Sequence, residues 1–132
     1  MRTDIMMMLM SDTYKHTHPR MYPKNLNKLV SYLTVRKNMS EAFDKMVFTG
    51  LQPFIMDYLI EGFNEQFFNK PLSFVEEQYK EYLGVQIGVE NTEWSAIKAL
   101  HELGYLPIEI RALPEGSVVN MGIPVVEMTN TH

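Results

Sequence analysis

The sequence predicts an α+β fold with antiparallel strands and about three helices, built as a single domain over residues 1–132. Apolar residues in the middle of the chain recur at three- and four-residue intervals, which is the spacing of amphipathic helices. Runs typical of strands lie near the beginning and at the end, where turn residues separate them. A length of 132 residues fits one domain, and a hydrophobic content of 45% is enough to form a core.

The first part of the chain contains an apolar run, a loop and a strand. The run at residues 5–10 is much shorter than the roughly 20 residues of a membrane-spanning helix, so it predicts a buried strand or a packed N-terminal arm. Residues 11–27 include two prolines and predict an ordered loop rather than a helix. Residues 29–35 are rich in β-branched and aromatic side chains and predict a strand.

The first predicted helix covers residues 49–63, where apolar side chains recur with helical spacing. Pro53 fits its first turn, because the N–H that proline lacks has no partner within the helix there. Thr49 or Gly50 is the predicted N-cap.

Two further helices are predicted. The second begins at Ser73, where Ser73 and Glu76 form a capping-box pattern, and Gly84 is the glycine expected at its end. The third is expected over residues 92–103, with Gly104 ending it.

The last part of the chain has the pattern of antiparallel strands. Residues 106–113 alternate between apolar and polar side chains, which predicts a half-buried strand. A turn is expected at residues 114–117. Residues 117–120 and 124–129 predict two more strands, separated by a break at residues 121–122.

The composition excludes several classes of function. The net charge is -4 and no basic stripe is present, so nucleic acid is a poor candidate partner. The absence of cysteine excludes disulfides and thiolate chemistry and fits a cytoplasmic protein. His16 and His18 are too few for a structural zinc site, which takes four ligands, so no metal site is predicted. No standard catalytic signature occurs, and no catalytic residue is predicted.

Candidate binding residues come from the predicted loops, where such residues concentrate. Five side chains lie in or beside these loops: Asp12, Tyr14, Lys15, Arg36 and Lys37. By composition alone, each is an ordinary surface residue. Their assignment to a site therefore depends on a wider pattern in the sequence.

Several blocks, in order along the chain, resemble the nicotinamide phosphoribosyltransferase family. Residues 11–23, SDTYKHTHPRMYP, resemble the family's N-terminal signature D-x-Y-K-x-T-H-x-x-x-Y-P. Residues 30–36, VSYLTVR, are similar to a family strand that ends in an arginine, and residues 47–52, VFTGLQ, to its V-F-x-G-L-Q block. Residues 106–116, LPIEIRALPEG, resemble L-P-I-E-I-x-A-x-P-E-G, and residues 129–131 resemble its E-N-T element.

The resemblance implies a fold and a reaction. The fold would be the N-terminal flanking domain of a type II phosphoribosyltransferase, whose α+β domain accompanies a large β/α barrel. The family makes nicotinamide mononucleotide from nicotinamide and phosphoribosyl pyrophosphate, a pentosyl transfer in NAD salvage, and uses Mg²⁺ and ATP. Its members resemble one another in forming head-to-tail homodimers, in which the N-terminal domain of one subunit completes the site on the barrel of the other.

The resemblance also implies roles for single residues. Tyr14 matches the family tyrosine that stacks on the nicotinamide ring, and Arg36 matches the arginine that contacts substrate phosphate. Asp12 is expected to hold the Tyr14 loop or line the site, and Lys37 to add positive charge near the phosphates. The other matched residues are expected to be structural, in the loop at His18, Tyr22 and Pro23 and in a core helix at residues 47–52.

The family's β/α barrel has no counterpart in these residues, and the chain stops directly after its last predicted strand, a hint of truncation. The isolated chain is therefore expected to be inactive and to bind no cofactor, because transfer needs both reactants held in a preorganised pocket. The expected partner is a barrel-bearing phosphoribosyltransferase chain or a second copy of this chain, with no role for nucleic acid or membrane. The alternatives are a non-catalytic dimerisation or regulatory module, a fragment without an independent role, and a piece of a nicotinate phosphoribosyltransferase.

Overall fold

A computed structural model describes residues 6–91 and 93–132 and has the helices and antiparallel strands of an α+β fold. A short α-helix, α1, covers Leu51–Phe54. Within the described part of the chain, no helix is long and apolar enough to cross a membrane. The chain divides into two compact units, the first made of the described parts of Met1–Lys24 and Phe54–Leu106, the second of Asn25–Pro53 and Pro107–His132.

The first unit is helical. Besides two longer α-helices it contains 3₁₀-helical and π-helical segments. The 3₁₀-helices are Met7–Leu9, Thr13–Met21 and Val89–Asn91, the π-helices are Ile55–Gly62 and Asn64–Phe68, and the α-helices are α2 at Leu72–Ile87 and α3 at Trp94–Leu103.

The core of this unit forms along one side of α2. Val75, Tyr79 and Leu83 are four residues apart, a spacing that places them on the same helix face, and all three are completely buried. Phe67 from the second π-helical segment is also completely buried and belongs to the same cluster. Partly buried side chains of α3, including Trp94, pack against it. The amphipathic pattern in the sequence thus corresponds to a real packing face.

The N-terminal arm completes this core. Met6, Met8 and Leu9 are buried within the cluster, so the predicted packed arm is confirmed for residues 6–9, whereas Met10 is 49% exposed and Ile5 lies outside the described residues. The alternative of a strand is wrong, because the arm forms a 3₁₀ turn. Met7 approaches Gly62 so closely that a Cβ atom there would lie 2.9 Å from the Met7 sulfur, so Gly62 leaves the space that the arm occupies.

The ordered loop predicted at residues 11–27 is partly wrong, because Thr13–Met21 is a 3₁₀-helix. Its first turn is closed by the backbone N–H of Lys15, which donates to the Asp12 carbonyl at 2.9 Å. Pro19 is tolerated because the φ angle that its ring imposes falls within the 3₁₀ range. The proline that predicted a loop is therefore compatible with this tighter helix.

The ends of α2 differ from the prediction. The helix begins at Leu72 after Pro71, and Ser73 makes no capping hydrogen bond. It also passes Gly84 and ends at Gly88, whose φ of 82° suits glycine. The third helix is confirmed as α3, ending at Gly104, although Thr92 at its predicted start lies outside the described residues.

The second unit contains five strands in two antiparallel sheets. The central strand of the larger sheet is β5, with β1 and β3 on its two sides, and β2 pairs with β4 in the smaller sheet. The strands predicted at residues 29–35, 106–113, 117–120 and 124–129 are all confirmed. The strands are β1 at Val30–Thr34, β2 at Lys45–Phe48, β3 at Ile108–Ala112, β4 at Ser117–Asn120 and β5 at Pro124–Asn130.

Strand β2 was not predicted, and it corrects the expectation of a core helix at residues 47–52. Val47 and Phe48 belong to β2, and Phe48 is buried with Val125 and Val126 in the core of the second unit. The helix predicted at residues 49–63 begins only at Leu51, as α1 followed by π-helical residues. The block therefore contains the end of a strand, a turn and the start of a helix.

Candidate functional site

The first group of candidate residues lies in the 3₁₀-helix Thr13–Met21 and the residue before it, called here the Tyr14 segment (residues 12–21). Tyr14 is 59% exposed. Its carbonyl oxygen accepts a hydrogen bond from the Thr17 hydroxyl at 2.7 Å, and its ring lies 5.5 Å from the His18 ring at an angle of 57°. The backbone of Tyr14 is thus held locally, while most of its ring surface remains accessible to a flat partner.

Asp12 and Lys15 form an exposed ion pair beside Tyr14. Their side chains lie 3.1 Å apart, three residues apart in sequence, and the Asp12 carbonyl also accepts the Lys15 backbone N–H. The hydrogen bond to the Asp12 carboxylate, with its negative charge, raises the pKa of Lys15. This pairing fits the expectation that Asp12 holds the segment in shape.

His16 faces the core of the first unit. Its Nε2 lies 3.0 Å from the Ser11 hydroxyl, and its ring meets Tyr79 edge-on at 5.7 Å. Burial lowers the pKa of His16, because the surrounding side chains replace water that would stabilise the imidazolium. In the described part of the chain no group of three His, Cys, Asp or Glu side chains is placed to hold a metal ion.

Polar contacts of two residues join the Tyr14 segment to the region around the end of α2. At its start, the Thr13 hydroxyl donates to the Gln86 side chain. Near its end, the Arg20 guanidinium donates from Nε to the Glu93 carboxylate and from Nη2 to the Glu90 carbonyl at 2.8 Å. The segment that carries Tyr14 is therefore held on both sides of Tyr14.

The second group of candidate residues follows β1 in the second unit. Arg36 and Lys37 are exposed, and among the residues that the structure describes neither forms an ion pair. The chain just before them is fixed, because the Gly122 N–H donates to the Val35 carbonyl at 2.8 Å. Two cations thus extend from a backbone held at the edge of a sheet, an arrangement suited to an anionic ligand.

The structure brings Asp12, Tyr14 and Lys15 together in the first unit, and Arg36 and Lys37 together in the second. Sequence reasoning did not single out Arg20. Only an acidic stretch far along the chain, at residues 90–93, could have suggested its partners, and such a pattern is too common to be specific.

Comparison with known proteins gives a consistent result over most of the chain. The sequence profile of a family described as "Nicotinamide phosphoribosyltransferase, N-terminal domain" matches residues 6–110. A curated protein of Acinetobacter baylyi named nicotinamide phosphoribosyltransferase is 45% identical over 126 residues. That alignment covers 92% of this chain and 25% of the relative, so the chain spans about a quarter of the relative's length.

Proposed function

The chain belongs to the family of nicotinamide phosphoribosyltransferase N-terminal domains, and on that premise we propose that it forms one part of an active site for nicotinamide mononucleotide synthesis. The substrates would be nicotinamide and phosphoribosyl pyrophosphate, as the name of the relative and the resemblance of the sequence blocks suggest. Both units would belong to one N-terminal domain, since the family match at residues 6–110 extends over parts of each.

The observation that carries this proposal is the exposed ring of Tyr14 on a backbone that is held locally. Nicotinamide has an electron-poor pyridine ring, which gains from offset stacking on a flat aromatic face. Tyr14 offers such a face, with 59% of its surface exposed and its carbonyl held by the Thr17 hydroxyl. Asp12 would support this geometry through its ion pair with Lys15.

Arg36 and Lys37 would supply the positive charge for phosphate. The guanidinium of Arg36 presents two parallel donors that match the spacing of phosphate oxygens. Lys37, the next residue, adds a second exposed cation. An accessible arginine and lysine side by side favour an anionic ligand over a neutral one.

These residues would bind rather than catalyse. Transfer of a ribosyl group through an oxocarbenium-like state needs both reactants held in line and shielded from water, and exposed side chains alone provide neither. We expect the remaining groups from a barrel-bearing phosphoribosyltransferase chain, in a cytoplasmic dimer with sites at the subunit interface. We propose no role for this chain in binding Mg²⁺ or ATP.

The experiment is a chimera in which this chain replaces the matching segment of the Acinetobacter baylyi relative. We expect the chimera to form nicotinamide mononucleotide and the isolated 132-residue chain to form none. A folded but inactive chimera would contradict the proposal and favour a non-catalytic dimerisation or regulatory module.

A further inference from the structure

We infer that Arg20 is a positioning residue for Tyr14, and this inference rests on the proposed stacking of Tyr14 on the substrate base. Arg20 and Tyr14 lie in the same 3₁₀-helix, Thr13–Met21. Arg20 points towards residues 90–93 and contacts no substrate in this scheme. Its role would be to fix the position from which the Tyr14 ring stacks on the nicotinamide ring.

The contacts of Arg20 use its whole guanidinium. Nε donates to the Glu93 carboxylate, Nη1 lies 3.4 Å from the Asn91 side-chain oxygen, and Nη2 donates to the Glu90 carbonyl at 2.8 Å. Three acceptors in different directions require the rigid, planar set of donors that arginine has and lysine lacks. The contact therefore fixes orientation as well as distance.

The acceptors of Arg20 are themselves held. The Asn91 side-chain amide donates to the Ile87 carbonyl at 2.5 Å, which links it to the last residue of α2. Leu83 and Tyr79, one and two turns earlier in α2, are completely buried in the core. Through Asn91 and Ile87, Arg20 thus connects the Tyr14 segment to α2, the helix whose buried face forms the core of the first unit.

A second contact limits the motion that remains. Thr13, directly before Tyr14, donates its hydroxyl to Gln86 in the last turn of α2. A segment held at Thr13 alone is free to pivot about that point, and the Arg20 contacts restrict this motion. Because stacking depends on the offset and angle of two rings, loss of the Arg20 contact should weaken binding of the base without removing the tyrosine.

The test is a double-mutant cycle in the active chimera, with Arg20→Ala, Tyr14→Ala and the two combined. The readouts are KM for nicotinamide, KM for phosphoribosyl pyrophosphate, kcat and the melting temperature. We expect R20A to raise KM for nicotinamide about three- to tenfold and to leave KM for phosphoribosyl pyrophosphate unchanged. In the Y14A background, R20A should add no further loss, because the residue through which it acts is gone.

Two further variants keep the test decisive. If R20A is unfolded at the assay temperature, Arg20→Lys takes its place, since it keeps the charge but not the three-way contact. Lys98→Ala is the matched control, because Lys98 is an exposed cation paired with Glu102 in the same unit at 3.8 Å. K98A is expected to leave both KM values unchanged.

The outcomes separate the inference from the proposed function. If Y14A raises KM for nicotinamide but the Arg20 variant does not, the positioning role is wrong while the function stands. Losses that multiply in the double variant, or equal increases in both KM values, would also overturn the positioning role. If Y14A itself has no effect, the proposed stacking fails and the inference fails with it.

Discussion

The Glu115 carboxylate accepts the backbone N–H of Gly50 at 2.7 Å, so the turn between β3 and β4 caps the start of α1. Its second oxygen accepts the N–H of Gln52 at 3.1 Å. The first N–H groups of a helix have no partner within the helix, and a carboxylate is well suited to them. Because α1 begins at Leu51, Gly50 occupies the predicted N-cap position, while the capping carboxylate comes from Glu115, a residue distant in sequence.

This cap predicts a pH-dependent contribution to stability. The backbone N–H groups of Gln52 and Gly50 stabilise the charged carboxylate and hold the pKa of Glu115 below its ordinary value of 4.5. A depressed folded pKa means that the contribution is present above the unfolded pKa and is lost as pH falls through the folded pKa.

Glu115→Gln should therefore lower the free energy of unfolding at neutral pH and reduce the dependence of stability on pH below about 4.5. Chemical denaturation at a series of pH values checks this for both proteins. If the free energies of unfolding of the two proteins, plotted against pH, remain parallel through the acid range, the charge of the Glu115 cap contributes nothing to folding.

Two valines of α2 test where the core of the first unit lies. Val75 is completely buried, whereas Val85 is 87% exposed on the same helix. Val75→Ala should lower the free energy of unfolding by about 2 kcal/mol, from lost apolar burial and the cavity left behind. Val85→Ala, the same substitution, should change it by less than about 0.5 kcal/mol. If denaturant titrations show that both variants lose the same free energy of unfolding, the core does not lie at Val75.

The strands that could be predicted were those whose signal is local. β3, β4 and β5 follow from alternating side chains and from the turns between them. β2 is defined by pairing with β4 from the other end of the chain, and its residues Val47 and Phe48 fall in the block for which a helix was expected. Pairing between residues so far apart cannot be detected in a short window of sequence.

The predicted end of α2 was wrong for a similar reason. The apolar face of α2 continues from Leu83 to Ile87, which packs against the core, so the helix passes Gly84. Tertiary packing here outweighs the tendency of glycine to end a helix. Likewise, Tyr14 was assigned a role by resemblance to a family, but the contacts of Arg20 that hold its segment depend on the folded chain.

The proposed role of Arg36 predicts that its substitution changes the KM for phosphoribosyl pyrophosphate selectively. In the chimera, Arg36→Ala should raise KM for phosphoribosyl pyrophosphate roughly tenfold or more, since hydrogen bonds to charged groups are worth about 1.5–3 kcal/mol. Arg36→Lys should recover part of this loss, because it restores the charge without the paired donors. Lys28→Ala, at another exposed cation of the second unit, is the control. An unchanged KM in R36A would remove Arg36 from the site.

The most direct test of the central claim is KM for nicotinamide in the chimera carrying Tyr14→Phe or Tyr14→Ala. Stacking requires the ring and not the hydroxyl, so Y14F should bind nicotinamide nearly as well as the unmodified chimera. Y14A should raise KM about fivefold or more, in line with the contribution of base stacking on aromatic side chains. A KM in Y14A equal to that of the unmodified chimera would contradict the account, because Tyr14 would then have no part in holding the base.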